Sequence, residues 1–96
     1  MNKKIREIQK LALPVLKKYD VKKASIFGSY VRGEDTKKSD VDMMIEFSGR
    51  KSLLDLVGLK LDLEDKIDKK FDISTFKAIN HLIRDQVFKE QVAILE

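Results

Sequence analysis

Length, composition and charge exclude several classes of protein. The chain has 96 residues, room for one small domain (residues 1–96), and its lack of cysteine and single histidine exclude disulfide bonds and argue against zinc sites. No apolar run approaches the roughly 20 residues that span a bilayer, and no signal peptide is apparent, so we expect a cytoplasmic protein without a membrane partner. The net charge of +4 is concentrated in residues 1–23, but no series of aromatic residues accompanies those lysines, which disfavours direct nucleic-acid binding.

The first part of the chain is predicted to form a helix, a strand and a turn. Apolar residues at helical spacing predict a helix over residues 3–19, and Pro14 within it should kink or split that helix near Leu13. Residues 24–27, ASIF, form a short apolar run that stops at Gly28. This pattern indicates a buried strand that ends in a turn.

The rest of the chain alternates strands and helices. Ser52 followed by Asp55 is a capping-box pattern and marks the start of a second long helix. The predicted elements are a polar loop at 33–39, a strand at 40–47, a helix at 52–69, a strand at 71–75, a helix from about 80, and 92–95 as a strand or the end of that helix. This order predicts an α/β fold, a small mixed β-sheet with helices packed on it.

Two aspartates mark the start of the second predicted strand. Asp40 and Asp42 are two residues apart, so in a strand both carboxylates project from one face, ~6.6 Å apart along the chain. They repel each other unless a divalent cation lies between them, and Mg²⁺ prefers carboxylate and phosphate oxygens. Asp72 in the third strand can complete a set that holds two metal ions ~3.5–4 Å apart, as in nucleotidyl transfer. Taken alone, an Asp-x-Asp pair is more typical of a turn or strand edge.

A Gly-Ser pair precedes the loop that leads to these aspartates. Gly28 at a strand end lets the backbone turn sharply and lets a phosphate approach it closely. If residues 29–32 begin a helical turn, their free N–H groups and the Ser29 hydroxyl point at an anion. Arg32 can then reach a phosphate through its planar guanidinium. A bare Gly-Ser pair is also typical of an ordinary turn, so the prediction depends on its combination with the aspartates.

The combined motif resembles a known superfamily. FGSYVRGEDTKKSDVDMMIEF, residues 27–47, places Gly28-Ser29 ten residues before Asp40-Val41-Asp42, and KKFDIS later supplies Asp72. This pattern resembles the DNA polymerase beta-like nucleotidyltransferases. More narrowly, the chain looks like a minimal nucleotidyltransferase, the MntA-type antitoxin that is paired with HEPN toxins. The likeness extends over nearly the whole chain and includes Arg32-Gly33 and Ser39.

The resemblance implies an activity, a cofactor and a partner. It implies Mg²⁺-dependent transfer of AMP from ATP to a hydroxyl, a tyrosine, of a HEPN-type RNase toxin, which would be silenced within a hetero-oligomer. Two Mg²⁺ ions, for which Mn²⁺ can substitute, would be held by the catalytic carboxylates Asp40, Asp42 and Asp72. The nucleotide-binding residues it implies are Gly28, Ser29, Arg32 and Ser39.

Two other functions are compatible with the same residues. The chain could neutralise its partner by binding alone, but a masking protein does not need three intact carboxylates. It could instead transfer a nucleotide to a small molecule, but a chain this short leaves no room for a dedicated small-molecule pocket. The sequence therefore favours the enzyme.

Overall fold

A computed structural model describes residues 2–79 and 81–96, without the side chains of 81–83. The chain forms α1 (Lys3–Lys18), β1 (Val21–Phe27), α2 (Ser29–Arg32), β2 (Val41–Phe47), α3 (Leu53–Ile67), β3 (Phe71–Thr75), a short 3-10 helix (Phe76–Ala78), α4 (His81–Glu90) and β4 (Val92–Leu95). The α/β fold predicted from the sequence is confirmed, and the last segment is a strand. Position 80, from which we predicted the last helix, lies outside the described residues, as do the side chains of Leu82 and Ile83.

The four strands form one mixed sheet in the order β3-β2-β1-β4. β1 is antiparallel to both β2 and β4, whereas β2 and β3 are parallel and joined through α3. Parallel neighbours need a crossover connection of this kind. As a result, the end of β1 and the starts of β2 and β3 lie at the same edge of the sheet.

The sheet is buried on both faces at its centre. Met43 and Ile45 of β2 belong to the main core, in which residues of α1 and α3 pack against the sheet. Met44 lies between them in sequence and belongs to a second cluster with Ile79 and Val87. This is the alternation that a strand imposes, and it holds the start of β2 in a fixed position.

Pro14 does not split the first helix. α1 runs from Lys3 to Lys18 as a single element that includes Pro14, so the predicted division near Leu13 is wrong. Proline removes the hydrogen bond to the carbonyl of Lys10. Because Pro14 and Lys10 are both exposed, that carbonyl can be hydrated and the helix continues through the proline.

Helices α1 and α3 are joined by a polar contact at the end of α1. The Tyr19 hydroxyl donates a 2.6 Å hydrogen bond to the Asp62 carboxylate, and the Lys18 ammonium lies 3.3 Å from the same oxygen. A β-carbon built on Gly58 would lie 3.1 Å from the Tyr19 hydroxyl, so the glycine within α3 leaves space for this ring. Within the described part of the chain, no helix is long and apolar enough to cross a membrane.

Candidate active site

The three predicted carboxylates lie at one edge of the sheet. Asp40 immediately precedes β2, Asp42 is the second residue of β2, and Asp72 is the second residue of β3. The parallel register pairs Asp42 directly with Asp72. Register partners project from the same face of a sheet, so these two carboxylates are neighbours. The structure therefore brings together residues that are 30 positions apart in the sequence.

Asp42 is destabilised in its charged form. Partial burial raises the pKa of its carboxyl above the ordinary value, and the charges of Asp72 and Asp40 raise that pKa further, whereas Arg32 opposes the shift. A divalent cation held by these carboxylates would relieve the repulsion, so the donor set has the chemistry that Mg²⁺ requires. As they stand, no three His, Cys, Asp or Glu side chains among the described residues are gathered into a metal site. The predicted metal ligands therefore stay a prediction.

Gly28 lies directly against Asp42. The register pairs Phe27 with Asp42, and Gly28 follows with φ +78° and ψ −147°, a conformation that side chains disfavour. A β-carbon at position 28 would collide with the Asp42 carboxylate and would lie 3.1 Å from its carboxyl carbon. The glycine is thus required by its backbone angles and by the carboxylate beside it. From sequence, Gly28 was predicted to allow a sharp turn and the approach of a phosphate, but its contact with Asp42 was not predicted.

The residues after Gly28 form the helical turn that the sequence predicts. The N–H groups of Val31 and Arg32 donate to the Gly28 carbonyl, and Ser29 is partly exposed at the start of α2. The Tyr30 side chain is buried, and its carbonyl accepts a 3.0 Å hydrogen bond from the Asn2 side chain. The turn is therefore fixed to the start of α1, close to Asp42.

Arg32 and Ser39, both predicted to bind nucleotide, make contacts within the protein that were not predicted from the sequence. The Arg32 guanidinium lies 3.0 Å from both Glu34 and Glu90, so a phosphate would have to share it with these two carboxylates. Glu90 is 58 residues away, and no local sequence signal links the two. The Ser39 hydroxyl accepts a 2.8 Å hydrogen bond from the Thr36 N–H, which holds the loop before Asp40 in shape.

The chain has a mixed sheet, and its carboxylates lie at the edge where a Gly-Ser turn ends β1. This combination is typical of a nucleotidyltransferase core. The family described as polymerase beta, nucleotidyltransferase, matches residues 9–96. The chain belongs to this family. The predicted class of enzyme, a nucleotidyltransferase, is thereby confirmed.

Two relatives carry names more specific than the family. A Methanocaldococcus jannaschii protein assigned as a protein adenylyltransferase is 46% identical over 91 residues, which are 95% of this chain and 98% of that protein. Protein adenylyltransferase MntA of Thermococcus cleftensis is 32% identical over 77 residues, or 80% of this chain and 78% of the relative. The predicted resemblance to MntA-type proteins is confirmed.

Solved structures share the fold. A structure described as a minimal nucleotidyltransferase aligns with a TM-score of 0.79 at 29% identity, and the match covers 93% of this chain and 91% of that one. A chain from the complex of a tri-AMPylated Shewanella oneidensis HEPN toxin with an MNT antitoxin aligns with a TM-score of 0.71 at 14% identity, covering 93% and 70%. At this lower identity the second likeness concerns the fold alone.

Proposed function

We propose that this chain, as a single domain, transfers AMP from ATP to a tyrosine hydroxyl of a partner HEPN-type RNase toxin and so acts as its antitoxin. The observation that carries the proposal is the pairing of Asp42 with Asp72 beside Gly28, because it gathers the charged groups that nucleotidyl transfer needs. The name of the relatives, protein adenylyltransferase, supports a protein as the acceptor. The AMPylated toxin in a structure of the same fold supports a HEPN partner.

The three carboxylates and the Gly-Ser pair each have a role in the proposed reaction. Asp40, Asp42 and Asp72 would hold the two Mg²⁺ ions, which when bound neutralise phosphate charge and polarise the α-phosphate. The backbone at Gly28 and the Ser29 hydroxyl would bind the β- and γ-phosphates. Asp72, whose side chain is exposed, would accept the proton of the attacking hydroxyl. The hydroxyl oxygen bonds to the α-phosphorus, the bond to the bridging oxygen breaks, and pyrophosphate leaves.

ATP binding should require a divalent cation. Without one, the triphosphate would face three carboxylates that already repel each other. Titration calorimetry with ATP should detect binding in Mg²⁺ or Mn²⁺ and none in EDTA. Equal affinity in both conditions would contradict a site in which Asp40, Asp42 and Asp72 bind metal.

The acceptor is tested with ATP labelled at the α-phosphate. When this chain is incubated with Mg²⁺, the labelled ATP and the proposed HEPN-type partner, the label should appear on a tyrosine of that partner. Label from the γ-phosphate would instead identify a kinase. If the Asp42→Asn variant and the unaltered chain inhibit the toxin equally without transferring label, the chain neutralises by binding alone. Label on a small molecule in place of the toxin would identify the other alternative.

A further inference from the structure

A basic cleft adjoins the candidate active site. It has a volume of about 430 Å³ and lies between the loop that precedes β2 and the turn that precedes β3. Four lysines and two aspartates line it together with Ser39: Lys37, Lys38, Asp40, Asp68, Lys69 and Lys70. None of the roles assigned above uses these lysines.

The cleft is formed by the segments that lead into β2 and β3, next to Asp40. β2 is flanked by β1, which ends at Gly28, and by β3, which begins just after Lys70. The Val41 N–H donates a 2.8 Å hydrogen bond to the Lys70 carbonyl, which holds the two cleft segments side by side. Neither Gly28 nor the α2 turn lines the cleft. If the triphosphate occupies the Gly-Ser side, the cleft remains open beside Asp40 and the start of β3 and can take a segment of the acceptor.

The lysines of the cleft are available to an incoming anion. All four are exposed, and within the described residues none of their ammonium groups lies within 4.0 Å of a carboxylate. Lys69 lies 5.7 Å from the centre of the Tyr30 ring, a contact that orients its ammonium group. Of the two aspartates in the lining, Asp40 is a proposed metal ligand, so its charge would be offset when metal binds. The lining therefore presents a net positive surface.

We propose that this cleft binds an acidic peptide segment that carries the acceptor hydroxyl, an inference that rests on the proposed function. Separate Asp or Glu side chains can each meet a lysine and avoid the two aspartates, whereas the continuous charge of a nucleic acid cannot. The lining also contains no aromatic ring on which a base could stack. Exposed lysine–carboxylate pairs of this kind are individually weak, and they mainly increase the association rate and the selectivity for an acidic peptide.

The test uses a fluorescent peptide with one tyrosine flanked by Glu and Asp, and a matched peptide with Gln and Asn instead. Fluorescence anisotropy measures peptide affinity, label from α-labelled ATP measures transfer, and calorimetry measures ATP affinity with Mg²⁺. The wild-type chain should bind the acidic peptide about tenfold more tightly, the sum of several weak ion pairs, and the preference should fall as salt rises. K37Q/K38Q/K69Q/K70Q should abolish the preference, and raise KM for the peptide, while kcat and ATP affinity stay unchanged.

Two matched variants serve as controls. K10Q/K17Q removes exposed lysines from α1, distant in sequence from the cleft, and should keep the preference. Replacing all four cleft lysines with arginine keeps their charge and should also preserve it. If the control variants lose the preference as fully as the quadruple glutamine variant, the proposal of an acidic segment is wrong. It is also wrong if the quadruple glutamine variant instead loses affinity for ATP, or for a single-stranded RNA used as a competing probe. Lysine-dependent binding of the acidic peptide without any label transfer would support the cleft and contradict the proposed function.

Discussion

Asp42 in the candidate active site and Asp62 on α3 have contrasting surroundings. Asp62 accepts a hydrogen bond from the Tyr19 hydroxyl and faces the Lys18 ammonium, and these partners lower the pKa of its carboxyl. Asp42 is partly buried beside other carboxylates, and burial and those charges raise its pKa. The folded structure stabilises the charged form of Asp62, whereas it destabilises the charged form of Asp42.

This contrast separates a carboxylate that its neighbours stabilise from one that belongs to the proposed active site. A protein gains stability from a carboxylate such as Asp62, whose charge is matched by donors. Asp42 instead carries a raised pKa beside Asp72 and Asp40, which is the pattern expected of a carboxylate in the proposed cation site. The contrast also yields predictions in which a change at Asp42 and a change at Asp62 have opposite effects.

The largest effect is expected for Asp42→Asn. The change keeps the side-chain volume but removes charge from a proposed metal ligand. The rate of AMP transfer should therefore fall by at least about 100-fold, the size of loss seen when one group that stabilises transition-state charge is removed. Asp62→Asn is the matched control and should retain transfer, since its side chain contacts α1. Initial rates with α-labelled ATP give the comparison. Near wild-type transfer by the Asp42 variant would show that this carboxylate is not a metal ligand.

Gly28→Ala should come next in size. The methyl group meets the Asp42 carboxylate, and the positive φ is strained for alanine, so the free energy of unfolding should fall by about 1–3 kcal/mol or more. Gly58→Ala, beside the Tyr19–Asp62 pair, should change stability by less than about 1 kcal/mol, because alanine's helix propensity offsets the shift of Tyr19. Urea denaturation measures both variants. Equal losses would mean that the contact with Asp42 is unimportant.

A smaller effect is expected for Ser29→Ala. One hydroxyl contact to a phosphate is lost while backbone donors remain, so ATP affinity should fall about 5- to 10-fold, as for one hydrogen bond. Transfer should slow correspondingly without any change in metal affinity. Calorimetry with ATP and with Mn²⁺ separates the two quantities. A loss as complete as that of Asp42→Asn would assign Ser29 a structural role instead.

The smallest effects concern stability and pH. Asp62→Asn should lower the melting temperature at neutral pH, whereas Asp42→Asn should raise it by removing repulsion. The folded pKa of Asp62 lies below its ordinary 3.8, so its contribution is complete above that value and is lost as pH falls through the lower folded pKa. Melting curves from pH 7 to pH 2 should show the Asp62→Asn deficit shrinking at the acid end. A deficit that is constant with pH would mean that the charge of Asp62 is not its source.

Local pattern was enough to predict most elements and to predict that the proposed site residues lie near one another. The Asp-x-Asp pair and Asp72 each mark the start of an apolar strand, and the starts of parallel neighbouring strands lie at one edge of a sheet. The partners of Arg32 and Asp62 could not be predicted, because Glu90 and Tyr19 are distant in sequence and meet them only after packing. The basic cleft was missed for the same reason, since two lysine pairs in separate polar segments join only when β2 and β3 align.

The contact between Gly28 and Asp42 also bears on how inactive descendants of such an enzyme could be recognised. A lineage that lost the carboxylate at position 42 would free the volume beside position 28, yet the backbone there would keep φ near +78° and still favour glycine. Glycine would thus persist after catalysis had been abandoned, whereas the aspartate would not. If Asp42 is a catalytic metal ligand as proposed, glycine at this turn reports the fold among related sequences, and the acid opposite it reports whether chemistry is still under selection.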